Sequence, residues 1–222
     1  MAHSFVEVNE LRVRPFLLTD RLSVRQIALS TAMSGSASSA FFDGDDFLAD
    51  ALTLYFTDHE PQSCFVLEQQ GTVAGYILGA CSTLVMDVVF SRQILLPLIG
   101  KALIQGLLLR RKNLAFLYQV MMAALSGRLW APDFSRDYPA TLHINIALAV
   151  RGHGAGALLM RAYLEYLSQH GVVGVRMATM SEAAGRFFER QGFKLLYRSS
   201  RPYFHHILGV DVPLLIYGKR LR

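Results

Sequence analysis

The residues of this chain whose types and spacing could do chemistry are concentrated in one run, Arg151-Gly152-His153-Gly154-Ala155-Gly156. The run follows the apolar segment Leu142 to Val150. It leads into Leu158, Leu159, Ala162, Tyr163, Tyr166 and Leu167, apolar positions at the i, i+3, i+4 spacing of a helix that His170-Gly171 ends. Strand, glycine loop and helix in that order aim backbone N–H groups and the positive end of a helix dipole at an anion. Three kinds of loop share such glycines, and two are excluded by neighbouring residues. No Gly-Lys-Ser/Thr ending places a lysine and a magnesium-binding hydroxyl on a nucleotide. No acidic residue stands at a strand end about 20 residues on, since Val172 to Thr179 holds only Arg176, so the ribose contact of a dinucleotide fold is missing. The third, a plain tight turn, stays open, and the run also matches the pattern Arg/Gln-x-x-Gly-x-Gly/Ala.

Other polar residues are candidates for proton chemistry. His143 and Asn145 lie two apart and share one face of the strand before the loop, where His143 reads either as a hydrogen-bonded wall residue or as a base or water-orienting group. Tyr163 and Tyr166 stand at core spacing. His205 and His206 are adjacent and read as facing opposite ways, with no His-x-x-x-His or cysteine partner, so no metal site is expected. Asp43-x-Asp45 resembles the start of a calcium loop, but Phe47 stands at its fifth position and no Gly-x5-Glu follows.

The elements that must position these residues follow from periodicity and turn chemistry. Leu11 to Phe16 reads as a half-exposed strand, and Thr19-Asp20 as a cap for a helix to about Thr31. Ser30 to Ser39 is a small, polar link, and a loop and helix run from Phe42 to Glu60. Cys64 to Glu68 and Val73 to Leu78 form a hairpin turning at Gln70-Gly71, which pairs Cys64 with Ile77 and leaves Cys81 out of register for a disulfide. Beyond the strand Leu142 to Val150 and its helix come a strand from Val172 to Ala178, a helix from Glu182 to Gln191 capped by Ser181, and strands at Phe193 to Tyr197 and Pro213 to Lys219. The order βααββ, insertion, βαβαββ predicts one α/β domain over 1–222 with a mixed sheet flanked by helices, and a helical insertion at about 88–139.

That insertion carries the charge and most of the grease. Residues 88–131 hold Arg92, Lys101, Arg110, Arg111, Lys112 and Arg128 and no Asp or Glu, a balance of +6, whereas the whole 222-residue chain is only +5. Its longest uncharged run, Asn113 to Gly127, is fifteen residues, short of the ~18 to 20 that cross a bilayer. Two nearly apolar helices joined at a basic corner are expected, with Asn113 capping the second, which ends at Ser126-Gly127. Such a unit reads as a buried subdomain, a lid or dimer surface, or a contact with anionic lipid. Six charges interleaved with Leu and Ile do not make a phosphate-tracking face, so nucleic acid is not an expected partner. At 52% hydrophobic residues the composition excludes disorder, and a start lacking a basic region before an apolar one predicts no signal peptide and a cytoplasmic site.

The segment Leu142-His-Ile-Asn-Ile-Ala-Leu-Ala-Val-Arg-Gly-His-Gly-Ala-Gly-Ala-Leu-Leu-Met160 resembles the central strand, pyrophosphate loop and helix of the GCN5-related N-acetyltransferase (GNAT) family. Ala184-Gly-Arg-Phe-Phe-Glu-Arg-Gln-Gly-Phe193 is similar to that family's later Ala-x-x-Phe-Tyr-x-x-x-Gly-Phe. The resemblance spans most of the chain, and the strand after a long helical insertion looks like an uncharacterised branch. It implies acetyl-CoA as co-substrate, its pyrophosphate held by the amides of Arg151, Gly152, His153, Gly154, Ala155 and Gly156, and its pantetheine arm paired with main-chain groups of Ile144 and Ile146. Glycines at 154 and 156 would let the backbone reach the phosphate oxygens, and the Ile146 N–H would polarise the thioester carbonyl.

The resemblance also shows a departure. Phe188 occupies the place of the tyrosine that protonates the leaving thiolate, and the asparagine often found before that helix is replaced by Glu182 and Ala183. A thiol of pKa about 8.5 leaves tolerably without an acid, and Ser181, Tyr203 and Tyr217 are substitute donors. His143, Asn145 and Ser181 are thus the catalytic candidates, with Phe188 beside the cofactor. The function implied is transfer of acetyl to an amine of a small molecule or peptide. The acidic stretch Asp43 to Glu60 favours a cationic amine if it faces the acceptor. Two alternatives are a non-catalytic acyl-CoA binding or sensing module and a peripheral membrane or dimer-forming protein acting through 88–131.

Overall fold

The structure is a computed structural model, and it describes residues 11–31 and 41–221. The N-terminal segment read as lacking a signal peptide, up to residue 10, and the polar link beyond Thr31 lie outside the described residues. Strand β1 (Leu11–Pro15) is the edge of a seven-stranded sheet. It is followed by a short 3-10 turn, Leu18–Asp20, and by helices α1 (Arg21–Thr31) and α2 (Asp45–Leu54), the latter prolonged by a π turn, Tyr55–His59. Strands β2 (Phe65–Gln69) and β3 (Thr72–Ala80) form the hairpin. The insertion comprises α3 (Thr83–Val89), a π turn (Phe90–Leu95), α4 (Leu96–Ile104) and α5 (Arg111–Leu125). Then come β4 (Ala140–Ile146), α6 (Ala155–Gln169), β5 (Gly174–Thr179), α7 (Glu182–Arg190), β6 (Lys194–Arg201), the short α8 (His205–Leu208) and β7 (Val212–Arg220).

The strand order is β1-β2-β3-β4-β5-β7-β6, antiparallel throughout except for the β4–β5 pair. The fold is therefore α/β with a mixed sheet flanked by helices, as the element order predicts. On one face α6 buries Leu159, Met160, Tyr163 and Leu167 against Leu67, Ile77, Leu142 and Val175, while on the other α1 packs Val24, Ile27 and Ala28 against Val66, Tyr76 and Leu78. Tyr163 fixes the first of these contacts, because its hydroxyl donates to the Thr141 carbonyl at 2.6 Å.

Several details differ from the sequence expectations, each for a local reason. Gln70 and Gly71 both have positive φ, 50° and 76°, the requirement of a tight two-residue turn. A bulge between Leu67 and Glu68 then shifts the register by one, so that Phe65, not Cys64, faces Ile77. Asp20 does not cap α1: its carboxylate accepts from Leu17 N–H and from two nitrogens of Arg14, which also reaches Glu68 at 2.7 Å. The Arg14 guanidinium holds the Asp20 carboxyl below its usual range. The strand before the glycine loop ends at Ile146, where a 3-10 turn, Leu148–Val150, takes over. His205 and His206 belong to α8, not to a strand, so opposite strand faces do not apply to them; both are exposed, and His205 Nδ1 lies 2.8 Å from Asp211.

The insertion departs most. It begins at Thr83, and Thr83–Ile104 is one continuous helix of 22 residues with mean hydropathy 1.5, long and apolar enough to cross a membrane by length and composition alone. Charge-free runs undercount it because Arg92 and Lys101 project from the helix without interrupting it. Pro97 directly follows the π turn and does not end the helix, Leu95 and Leu96 before it keeping helical dihedrals. Asn113 is not a cap. Helix α5 starts earlier, at Arg111, and the fully buried Asn113 side chain donates to the carbonyls of Asp43 and Leu107 and accepts from Asp43 N–H, locking the insertion onto the 41–44 loop. The expected end at Ser126-Gly127 is found, with Gly127 at φ 72°.

Candidate active site

Strands β4 and β5 are paired only at Ala140 with Val175 and Thr141 with Arg176, after which they diverge. The divergence leaves a main-chain edge of β4 without a strand partner. Ala147 N–H bonds to β3 through the Ala74 carbonyl, so by alternation the main-chain groups of Ile144 and Ile146 point the other way, into the gap. The Ile146 carbonyl accepts there from Arg151 Nε at 2.8 Å.

The gap widens into a cavity of about 700 Å³, within the size range of ligand pockets. Its walls bring together His143, Ile144, Asn145 and Ile146 from β4, Arg151, Gly152, Gly154, Ala155 and Gly156 from the loop and start of α6, and Ser181 and Phe188. His153 is left out, as are the substitute donors Tyr203 and Tyr217; His153 is exposed, with Nδ1 3.0 Å from the Arg151 carbonyl. The lining also includes Phe187 and Arg190, which the sequence reading passed over. Phe187 has the apolar type expected of a core residue, and Arg190 could have been found as the cation one helical turn beyond it.

The loop is shaped for an anion. Gly152 and Gly154 adopt φ 85° and 78°, left-handed values that L side chains rarely take. Their need for glycine is thus conformational, since nothing stands within 4 Å of a Cβ built on either. Gly156 is required for a different reason: a Cβ there would meet Phe187 Cζ at 3.0 Å. Gly154 is the N-cap of α6 without a side-chain cap, so the first-turn amides point out of the helix toward the cavity mouth beside the Arg151 and Arg190 cations.

On the opposite wall Asn145 Nδ2 donates to the Tyr76 hydroxyl at 2.8 Å. His143 sits against both, Nδ1 3.5 Å from that hydroxyl and Nε2 3.3 Å from Asn145 Nδ2. Neither partner is charged, and burial pushes the His143 pKa down to about 4, so the imidazole is neutral at physiological pH. Tyr76, fully buried, has its pKa raised by the same desolvation and stays protonated. The lining contains no tyrosine; its hydroxyls are those of Thr31, Thr179 and Ser181. Ser181 Oγ accepts from Ala184 N–H as the cap of α7 and keeps its own proton to donate. Tyr217 instead donates to Glu189, and Tyr203 rests against Met180 Sδ at 3.7 Å.

The acidic stretch is turned elsewhere. Asp43 pairs with Lys112 at 2.6 Å, Asp58 with Arg21 at 2.6 Å, and both Asp46 and Asp50 with Arg25. None of these carboxylates lines the cavity, and neither does any residue of 83–131, so the insertion is not a wall of the site. Among the described residues no three His, Cys, Asp or Glu side chains gather as a metal-ligand set.

Residues 31–193 match the family model described as Acetyltransferase (GNAT) family, and the chain belongs to that family of acyltransferases. Among solved structures, SsHAT is similar at 25% identity and TM-score 0.71, over 96% of this chain and 98% of its own. The Drosophila melanogaster polyamine N-acetyltransferase is similar at 13% identity and TM-score 0.59, over 95% of this chain and 100% of its own. The yncA protein of Salmonella typhimurium, in a structure with its cofactor acetyl-CoA, is similar at 13% identity and TM-score 0.57, over 96% and 95%. The last two likenesses are of fold.

Proposed function

We propose that this protein is an acetyl-CoA-dependent N-acetyltransferase acting on an amine of a small molecule or peptide by direct attack on the thioester. The observation that carries the reading is the cavity between the diverging β4 and β5, with the glycine loop at one end and the His143–Asn145 wall at the other. The donor set fits the cofactor: outward amides and two arginines suit a pyrophosphate, and the free edge of β4 suits an amide-bearing arm. When bound, acetyl-CoA supplies the acetyl group as an activated thioester.

In this reading the amides of 152–156 bind the diphosphate, with Arg151 and Arg190 adding charge. Main-chain groups of Ile144 and Ile146 align the pantetheine arm, and the Ile146 N–H donates to the carbonyl oxygen on which charge develops. A conjugate acid near pKa 4 is poorly matched to taking a proton from an amine at pH 7. His143 with Asn145 is therefore assigned to orienting the amine and its water, not to bulk proton removal. The Ser181 hydroxyl is the donor available to the leaving thiolate, since Phe188 has none. Cationic side chains of an acceptor gain nothing from Asp43, Asp46, Asp50 or Asp58, which are paired within the chain. The small-molecule or peptide acceptor is to be sought by a panel of amines, reading transfer above hydrolysis; tight cofactor binding without transfer to any amine would contradict the enzyme reading.

The absence of a tyrosine from the cavity wall favours a second reading, an acyl-CoA binding or sensing module. It requires that Phe188→Tyr create transfer where the natural chain has none.

A further inference from the structure

Helix α5 is amphipathic the wrong way round for a surface helix. Its inward row is Asn113, Phe116, Val120 and Ala123, and its outward row, at i, i+3, i+4 spacing, is Leu114, Leu117, Tyr118, Met121 and Leu125. The exposure is large: Leu125 is 76% exposed, Trp130 just beyond it 77%, and Ile104 at the corner before α5 90%. The π turn and helix α4 bury only Ile94 and Leu98, against Tyr55 and Ala80, and Ala102, against the cluster of Phe41, Phe42 and Leu107, and leave Leu96 and Leu103 in solvent.

The charges that residues 88–131 themselves carry are of one sign, and of these Lys112 and Arg128 are answered by Asp43 and Asp211. Arg92, Lys101, Arg110 and Arg111 are exposed and make no ion pair with any described residue. Helix α5 opens with Arg110 as N-cap followed by Arg111 and Lys112, with no acidic residue in its first turn, so three cations stand at the positive end of their own helix dipole. Among the described residues no ion pair relieves that repulsion for Arg110 and Arg111. A second copy of the chain would not relieve it either, because a two-fold interface sets the same patch against itself and 88–131 contains no Asp or Glu to answer Arg92, Lys101, Arg110 and Arg111. An external anionic, apolar-backed surface satisfies both features at once.

We infer that α5 and the corner at 103–111 form a docking face for an anionic lipid bilayer, on which α5 lies in the plane of the headgroups. The apolar row enters the acyl boundary, Arg110, Arg111 and Lys101 meet phosphates, and Tyr118 and Trp130 sit at the interfacial level. Although Thr83–Ile104 is long enough to span, its buried row is packed on the protein, so the segment rests on the bilayer and does not cross it. The acetyltransferase cavity, with no lining residue from 83–131, stays open while the face is engaged.

The test is co-sedimentation of the full chain with phosphatidylcholine vesicles with and without phosphatidylglycerol, at low and high salt. Trp130, the only tryptophan, serves as reporter. Binding is expected only with phosphatidylglycerol, weakened by salt, and accompanied by a blue shift of Trp130 emission. Arg110→Ala/Arg111→Ala should weaken partitioning ~25-fold, at about fivefold per cation. Leu117→Gln/Met121→Gln should weaken it by about tenfold per side chain. All four positions are exposed, so the variants are expected to keep the wild-type circular dichroism. No sedimentation with anionic vesicles, or sedimentation that neither pair of substitutions weakens, overturns the inference. So does a dimer seen by light scattering that Leu117→Gln/Met121→Gln dissociates without any vesicle binding.

Discussion

Gly156 in the first turn of α6 lies under the Phe187 ring of α7, where a Cβ would stand 3.0 Å from Phe187 Cζ and 3.3 Å from Ile146 Cδ1. The loop motif and the later helix motif, thirty residues apart in the chain, meet at this contact and close one end of the cavity. Gly156→Val must push away Phe187 or tilt the first turn, and acetyl-CoA affinity is expected to fall ~5- to 150-fold, as overpacking by about 1 to 3 kcal/mol implies. Adding Phe187→Ala should recover part of the loss. A double-mutant cycle by calorimetry checks it, with additive effects ruling out the coupling.

Gly79 on β3 is held by a second close approach. A Cβ there would stand 2.0 Å from Tyr163 Cε2, in the ring that seats α6 on the sheet. Gly79→Ala is expected to cost about 3 kcal/mol or more, against about 1 kcal/mol for Tyr163→Phe, which loses only the hydroxyl's bonds to the Thr141 and Ala80 carbonyls. Urea unfolding of the two variants measures the difference, and a neutral Gly79→Ala would mean that α6 is not seated this closely.

His143 gives stability a defined pH dependence. Its folded pKa, about 4, lies below the unfolded value near 6.5. Above pH 6.5 both states are neutral and the residue has no effect. As pH falls from 6.5 toward 4 the unfolded chain takes up the proton first, so stability declines. At pH 4.5 the wild type should have lost about 2 to 3 kcal/mol more than His143→Gln, relative to pH 7. Denaturant titrations at the two pH values decide this, and parallel behaviour would place a charged imidazole in the wall. The same variant should keep transfer within about tenfold, as befits an orienting group and not a base.

The sequence made the loop legible because strand, glycines and helix are contiguous there, and the spacing of Ala184 to Phe193 added a second local pattern. The Tyr76–His143–Asn145 wall was half visible. His143 and Asn145 share a strand face by simple alternation, but Tyr76 reaches them only through the antiparallel register that sets it opposite Asn145. Registers also misled at Cys64, where one bulge moved the pairing by a residue. Charges were the least legible. Asp43, Asp50 and Asp58 look like a free acidic face until tertiary packing brings in Lys112, Arg25 and Arg21, and the helix 83–104 hides behind charges that project without breaking it.

Phe188 and Ser181 divide the two functional readings. If the chain is an enzyme, Ser181→Ala should lower kcat while leaving the acetyl-CoA dissociation constant within about twofold, and Phe188→Tyr should raise kcat by up to ~10² by supplying an acid. Transfer assays with an amine panel, at saturating acetyl-CoA, provide the numbers. Activity in the natural chain removes the binding-only reading, and activity confined to Phe188→Tyr establishes it.

The central claim is that the loop at 151–156 holds acetyl-CoA, and calorimetric titration of the wild type beside Gly154→Val tests it most directly. Gly154 has φ 78° with open space around it, so a β-branched residue there distorts the loop backbone without touching the core. The account predicts binding to the wild type with one site per chain and no detectable binding to Gly154→Val at the same concentrations, both proteins being equally folded. Equal affinity in the two, or none in the wild type, would contradict it.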